Sequence, residues 1–131
     1  MTKGKPIGIN EIVIHVKNVE NSCNFYTKVM GFNVIRKEDG LVWLKTGEGE
    51  RAVQVLLHPN ENDDVIPFGS MALSFEYDNV DQVIERAKKY NCKIAKYPKN
   101  MYYGWYALRE AVIFDPNDIY IFLAQPIPIN R

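Results

Sequence analysis

The fold is decided by a stretch that occurs twice, as IVIHVKNVE at residues 12–20 and as LSFEYDNVD at residues 73–81. A shift of 61 residues lays Ile12 on Leu73 and Asn18 on Asn79. In both copies a run with strand-like alternation of apolar side chains leads to an asparagine suited to the N-cap of a helix. The chain therefore repeats a unit of strand, turn and helix start.

A helix and three strand-like runs follow each copy. The apolar stripe of the second helix is Val80, Val83, Ile84 and Ala87, with Asn91 at its end, and that of the first is Tyr26, Val29 and Met30, with Gly31 as its stop. The strand-like runs are residues 32–36, 41–45 and 52–57 in the first half and 93–97, 105–114 and 119–124 in the second. Turn signals such as EDG at 38–40 and DPND at 115–118 separate them.

The predicted fold class is α+β, with two tandem βαβββ modules. We expect residues 1–131 to form a single domain, with module one at about 9–58, a polar, acidic linker at about 59–67 and module two at about 68–126. The ends of the two modules, LLHP at 56–59 and LAQP at 123–126, match at an offset of 67 residues.

Composition and charge exclude several classes of partner. The 131 residues include 16 basic and 16 acidic side chains, with no long run of one sign, so neither nucleic acid nor an anionic membrane surface is an expected partner. No apolar segment is long enough to span a membrane, which favours a cytoplasmic protein. Cys23 and Cys92 are isolated and indicate neither a disulfide scaffold nor a zinc site.

Three motifs on this repeat, FYTKVMGF at residues 25–32, FEYDNVD at 75–81 and FDPND at 114–118, resemble signatures of the vicinal oxygen chelate superfamily. Glyoxalase I, fosfomycin resistance enzymes, extradiol dioxygenases and bleomycin resistance proteins belong to that superfamily. The resemblance covers about residues 9–126 and implies that the two βαβββ modules form a cleft between curved mixed sheets, each with a helix on the outer face, and that the protein is a homodimer. In many members the cleft holds a divalent metal ion.

The metal ligands that the resemblance implies lie on the first and last strands of each module. Carried over position by position, they fall on Glu11, Val55, Ala72 and Phe122. Only Glu11 offers a lone pair, whereas metal ions in such sites need several nitrogen or oxygen donors. The sequence therefore predicts no metal and no other cofactor. A register error of one residue would bring Gln54 or Ser70 closer to a ligand position, but the set of ligands would still be incomplete; Ser70 lies outside the residues that the structure describes.

Polar side chains in the predicted cleft lead to two further expectations. Strand alternation puts Glu11 and His15 on the same face of the first strand, and the resemblance implies that this face lines the cleft. The two residues are about 13 Å apart at roughly 3.3 Å per residue, which is too far for a shared metal ion. His15 and Glu76 are equivalent in the repeat and are predicted to meet as a charge-assisted pair. His58, at a strand exit before Pro59, is expected to be solvated.

Aromatic residues crowd into ten positions of the second module. Five of them are Tyr97, Tyr102, Tyr103, Trp105 and Tyr106. Such side chains suit a cleft that grips a partly aromatic small molecule, and they suit a dimer interface equally well. The sequence leaves both alternatives open.

These observations favour a metal-independent small-molecule binding protein with a degenerate metal site that forms a homodimer. The predicted ligand-binding residues are Glu11, His15, Trp43, Ser74, Glu76, Tyr102, Trp105, Tyr106 and Phe122. The alternative is a lyase or isomerase related to glyoxalases or dioxygenases, with a non-standard active site in which Glu11 is the catalytic general base. A domain with an empty cleft that serves only as a subunit or regulator is a third possibility.

Overall fold

The structure is a computed structural model that describes residues 4–60 and 71–129, and it consists of two modules with the same order of elements. The first module contains β1 (Ile12–Val16), α1 (Val19–Asn24) continued by a π-helical turn (Phe25–Val29), β2 (Asn33–Glu38), β3 (Leu41–Lys45) and β4 (Gln54–Pro59). The second contains β5 (Leu73–Glu76), α2 (Val80–Lys89), β6 (Ile94–Tyr102), β7 (Ala107–Phe114) and β8 (Tyr120–Ile127). Most of the predicted linker, residues 61–67, lies outside the described residues.

Each module forms one four-stranded mixed sheet, in the order β1-β4-β3-β2 and β5-β8-β7-β6. The first strand of each module runs parallel to the last, and the other neighbours are antiparallel. The predicted α+β fold of two βαβββ modules is thus confirmed. The largest difference is in the β6–β7 hairpin, where β6 extends to Tyr102 and β7 begins at Ala107 rather than at residue 105.

Both helices begin and end at residues that the sequence marks. The side chain of Asn18 accepts a hydrogen bond from the Asn21 backbone N–H at 2.9 Å, and Asn79 accepts one from Gln82 at 3.1 Å. These bonds satisfy N–H groups that the first helical turn leaves without partners. Beyond the helix ends, Gly31 and Asn91 have φ values of 78° and 57°, the left-handed conformation that stops a helix.

The two modules share one hydrophobic core. Phe32 of the first module and Phe75 of the second pack edge to face, with ring centroids 5.2 Å apart. The guanidinium of Arg86, on α2, donates to the Val29 carbonyl at 2.9 Å, and this caps the end of the π-helical turn from the other module. The modules are therefore parts of one packed unit within the described residues.

Each sheet covers this core with one face only. On β4, Val55 and Leu57 are fully buried in the core, so strand alternation turns Gln54, Leu56 and His58 to the other side. We call this second side, which is turned away from the helices and the shared core, the helix-free face. Neither of the helices in the described ranges is long and apolar enough to cross a membrane.

Candidate functional site

A polar pair lies on the helix-free face of the first sheet, at the start of β1 and β4. Glu11 directly precedes β1, which is parallel to β4, and its carboxylate accepts a hydrogen bond from Gln54 Nε2 at 2.6 Å. Both side chains are half-buried. The sequence predicts Glu11 at this site but considers Gln54 only under a shift of register.

The Gln54 side chain forms part of a concave surface with a volume of about 490 Å³. Its lining residues are Ile35, Arg36, Glu38, Trp43 and Gln54, all from the first module. Trp43 is half-buried and supplies an aromatic wall, and Arg36 and Glu38 form an ion pair. Trp43, one of the predicted ligand-binding residues, thus lines this concave surface.

Strand pairing corrects one of the implied metal positions. Val13 lies opposite Leu56 in the first sheet, and its repeat equivalent Ser74 lies opposite Phe122 in the second. The position equivalent to Phe122 is therefore Leu56, at an offset of 66 residues, and the predicted offset of 67 is wrong. Val55, which is fully buried, faces the core instead of the cleft.

The predicted pair of His15 and Glu76 is not formed. His15 instead lies opposite His58 on the neighbouring strand, with ring centroids 5.1 Å apart, and His58 is half-buried rather than fully solvated. Glu76 accepts two hydrogen bonds from the guanidinium of Arg51, at 3.1 and 3.2 Å. Arg51, on the loop before β4, therefore links the first module to the second, a contact that the sequence does not indicate.

The helix-free face of the second sheet is mainly apolar and aromatic where it passes Phe122. The Phe122 ring packs edge to face on Tyr120 at 6.0 Å between centroids, and Tyr120 contacts Phe114 at 5.0 Å. Ser74 is exposed on this face, opposite Phe122 on the neighbouring strand. The surface suits stacking against a ring rather than ion binding.

The aromatic cluster divides between two sides of the second sheet. Tyr102 pairs with Ala107, on the side of β7 that faces α2 and the core, so its position does not support the predicted contact with a ligand in the cleft. Trp105 and Tyr106 lie in the hairpin turn, where Tyr106 stacks on Tyr103. Tyr103 donates to the Glu110 carboxylate at 2.6 Å, and this bond raises the pKa of Tyr103 to about 12.

Possible metal ligands are sparse on these faces. Within residues 4–60 and 71–129, no three His, Cys, Asp or Glu side chains gather into a group that could hold a metal ion. Cys23 and Cys92 are both free thiols, and burial raises the pKa of Cys92. A raised thiol pKa keeps that side chain protonated and weakly reactive.

The repeat, the two mixed sheets and the shared core define a protein of paired βαβββ modules. The family model of the Glyoxalase/Bleomycin resistance protein/Dioxygenase superfamily matches residues 8–122, and the chain belongs to this superfamily. No curated protein matches the sequence.

Solved structures of the same fold cover nearly the whole chain. A fosfomycin resistance protein from Listeria monocytogenes has a TM-score of 0.75 at 15% sequence identity, and the match covers 92% of this chain and 94% of that protein. An antibiotic-binding protein from a Streptomyces species has a TM-score of 0.71 at 24% identity, with 93% and 98% covered. An integron cassette protein from the mobile metagenome of V. cholerae has a TM-score of 0.71 at 20% identity, and the match covers 92% of this chain and 96% of that protein. At these identities the likeness concerns the fold.

Proposed function

We propose that this protein binds a small molecule on the helix-free face of its first sheet, without a metal ion. The observation that carries the proposal is the hydrogen-bonded pair of Glu11 and Gln54 beside a concave surface of about 490 Å³. Ligand sites are concave, mostly apolar surfaces of this size with a few fixed polar groups. The bond to Glu11 holds the Gln54 amide in one orientation, so less entropy is lost when a ligand binds it.

The lining indicates the chemistry of the ligand. Trp43 and Ile35 offer apolar contact, and the Trp43 indole suits stacking against a planar group. The Gln54 carbonyl oxygen is an acceptor for a ligand N–H or O–H. We therefore expect a partly aromatic or otherwise planar ligand that also carries hydrogen-bond donors.

The residues at the implied metal positions do not fit a divalent ion. After the correction of register these positions are Glu11, Leu56, Ala72 and Phe122, of which only Glu11 carries a donor atom. The Glu11 carboxylate already accepts a hydrogen bond from Gln54. Catalytic zinc sites use three protein ligands, so this donor set supports a degenerate metal site.

Proteins of the same fold support this class of ligand. One structural neighbour is an antibiotic-binding protein and another is a fosfomycin resistance protein. An antibiotic-like natural product is therefore a reasonable first class of compound to test.

The test uses Trp43 as the reporter. The chain has two tryptophans, so the Trp105→Phe variant retains Trp43 as its single indole. We expect a binder found in a thermal-shift screen of natural-product antibiotics to quench this indole in protein dialysed against EDTA. Gln54→Ala should weaken binding by about 1–3 kcal/mol, because the buried hydrogen bond to the ligand is lost. Gln82→Ala, at an exposed glutamine on α2, is the matched control.

Two results would overturn the proposal in favour of the enzyme alternative. One is binding that disappears with EDTA and returns with zinc, nickel, iron or manganese. The other is stoichiometric metal that survives dialysis and is lost in the Glu11→Gln variant. Turnover of a bound compound that depends on Glu11 would support the lyase or isomerase with this residue as general base.

A further inference from the structure

The two histidines of this chain, separated by 43 positions in the sequence, meet on the helix-free face of the first sheet. His15 on β1 and His58 on β4 are direct partners in a parallel strand pair, so their side chains leave the sheet on the same side. The ring centroids are 5.1 Å apart and the ring planes are tilted by 48°. His15 is exposed and His58 is half-buried, so the pair is open to ions from solution.

We propose that His15 and His58 together form a binding site for a late first-row divalent metal ion such as Zn²⁺, Ni²⁺ or Cu²⁺. An ion held by one nitrogen of each ring at about 2.0–2.1 Å, with a tetrahedral angle between the two bonds, sets the ring centroids about 5 Å apart. The observed spacing matches this value. Because the His15 side chain is exposed, its ring can rotate to direct a nitrogen towards the ion.

The hydrogen bonding of His58 supports the same role. Its Nδ1 lies 2.8 Å from the Pro59 carbonyl oxygen, and because a carbonyl only accepts, Nδ1 must carry the hydrogen. The lone pair of the neutral ring is then on Nε2. Metal-binding histidines characteristically donate their other ring N–H to a carbonyl or carboxylate, which fixes the tautomer and orients the ring.

The chemistry of the site limits what it binds and how tightly. Imidazole nitrogen favours zinc, nickel and copper over magnesium and calcium, and copper is expected to bind most tightly of the three. With two protein ligands, the other coordination positions are left to water. The ion should therefore exchange readily and be removed by a chelator.

This site is separate from the Glu11–Gln54 pair and goes beyond the proposed function. His15 lies four residues along the strand direction from Glu11, about 13 Å at roughly 3.3 Å per residue. Ligand binding beside Gln54 can therefore fail while the histidine site holds an ion, and the reverse can also occur.

The experiment titrates tag-free, EDTA-dialysed protein with Zn²⁺ and follows the imidazole ¹⁵N signals by NMR. The chain contains two histidines, so both rings are observed without overlap from others. We expect the signals of His15 and His58 to shift together and to saturate at a single ion per chain. His15→Asn and His58→Asn should each weaken Zn²⁺ binding at least about tenfold. Removing a residue that only hydrogen-bonds to a metal ligand already lowers metal affinity about tenfold, and these variants remove a ligand itself.

Two controls make the outcome decisive. His15 is exposed, so His15→Asn is expected to keep the fold, and circular dichroism checks this. If His58→Asn is unstable, the His15→Asn variant alone tests the site. Glu11→Gln should leave the Zn²⁺ titration of both rings unchanged. A shift of one ring alone, or unchanged affinity in His15→Asn, overturns the histidine site. Loss of Zn²⁺ binding in Glu11→Gln would assign the ion to Glu11 and overturn the metal-independent function as well.

Discussion

The hydroxyl of Tyr26 joins the first module to the turn between β7 and β8 of the second. It is fully buried and donates to Asp115 Oδ2 at 2.8 Å, while Asp115 Oδ1 accepts from the backbone N–H groups of Asn117 and Ile119. We expect Tyr26→Phe to lower the free energy of unfolding by about 1–3 kcal/mol, because a buried carboxylate oxygen loses its closer donor and keeps only Asn117 Nδ2 at 3.4 Å. Urea denaturation measures this change. Tyr97→Phe, at an exposed tyrosine, should stay within about 0.5 kcal/mol, and an equal loss in both variants would contradict the prediction.

Buried tyrosines also make the protein sensitive to base. Burial, together with the charge of Asp115, holds the pKa of Tyr26 well above its usual value, and burial raises the pKa of Tyr77. A folded pKa above the unfolded one, about 10, gives stability that is fully present below about pH 10 and is lost as pH rises through the folded pKa. We therefore expect the free energy of unfolding to fall above about pH 10. The free energy of unfolding of the Tyr26→Phe variant should fall less over the same pH range. A free energy of unfolding that does not change with pH in the parent protein would contradict this assignment.

At the scale of the elements, local signals are sufficient for the helices but not for the strand faces. The N-caps Asn18 and Asn79 were predictable because a cap depends on a few neighbouring residues. The face of β4 was not, because apolar side chains at Val55, Leu56 and Leu57 hide the alternation and a shift of one residue exchanges the two faces. The sequence therefore predicts Val55 at a cleft position, whereas the structure buries Val55 in the core and turns Leu56 to the helix-free face.

The side-chain pairs of the candidate site depend on which strands are neighbours. Gln54 bonds to Glu11 and His58 meets His15 because β4 is parallel to β1, with α1, β2 and β3 between them in the chain. That Glu11 and His15 share one face was predictable from the alternation of β1 alone, and the structure places both on the helix-free face. Their partners were not predictable in the same way. Equivalence within the repeat predicted Glu76 as the partner of His15, whereas its partner on the neighbouring strand is His58.

At the scale of the whole molecule, the hairpin between β6 and β7 carries large aromatic side chains in contact with solvent. Tyr102 and Trp105 are 72% and 76% exposed. Clustered exposed aromatic side chains mark interaction sites, and tyrosine and tryptophan are enriched at protein interfaces. We therefore predict that the protein is a homodimer and that this hairpin lies in the dimer interface.

The dimer prediction is tested by sedimentation velocity over a range of protein concentrations. Trp105→Ser should raise the dissociation constant by about 30-fold or more, which corresponds to the loss of at least about 2 kcal/mol for a tryptophan at the centre of an interface. Tyr90→Ser is the matched control, because Tyr90 is also an exposed aromatic residue but lies at the end of α2, away from the hairpin. A parent protein that sediments as a monomer at micromolar concentration would contradict the homodimer. If neither variant weakens the dimer, the interface lies away from the hairpin, and Trp105 is then available to a ligand.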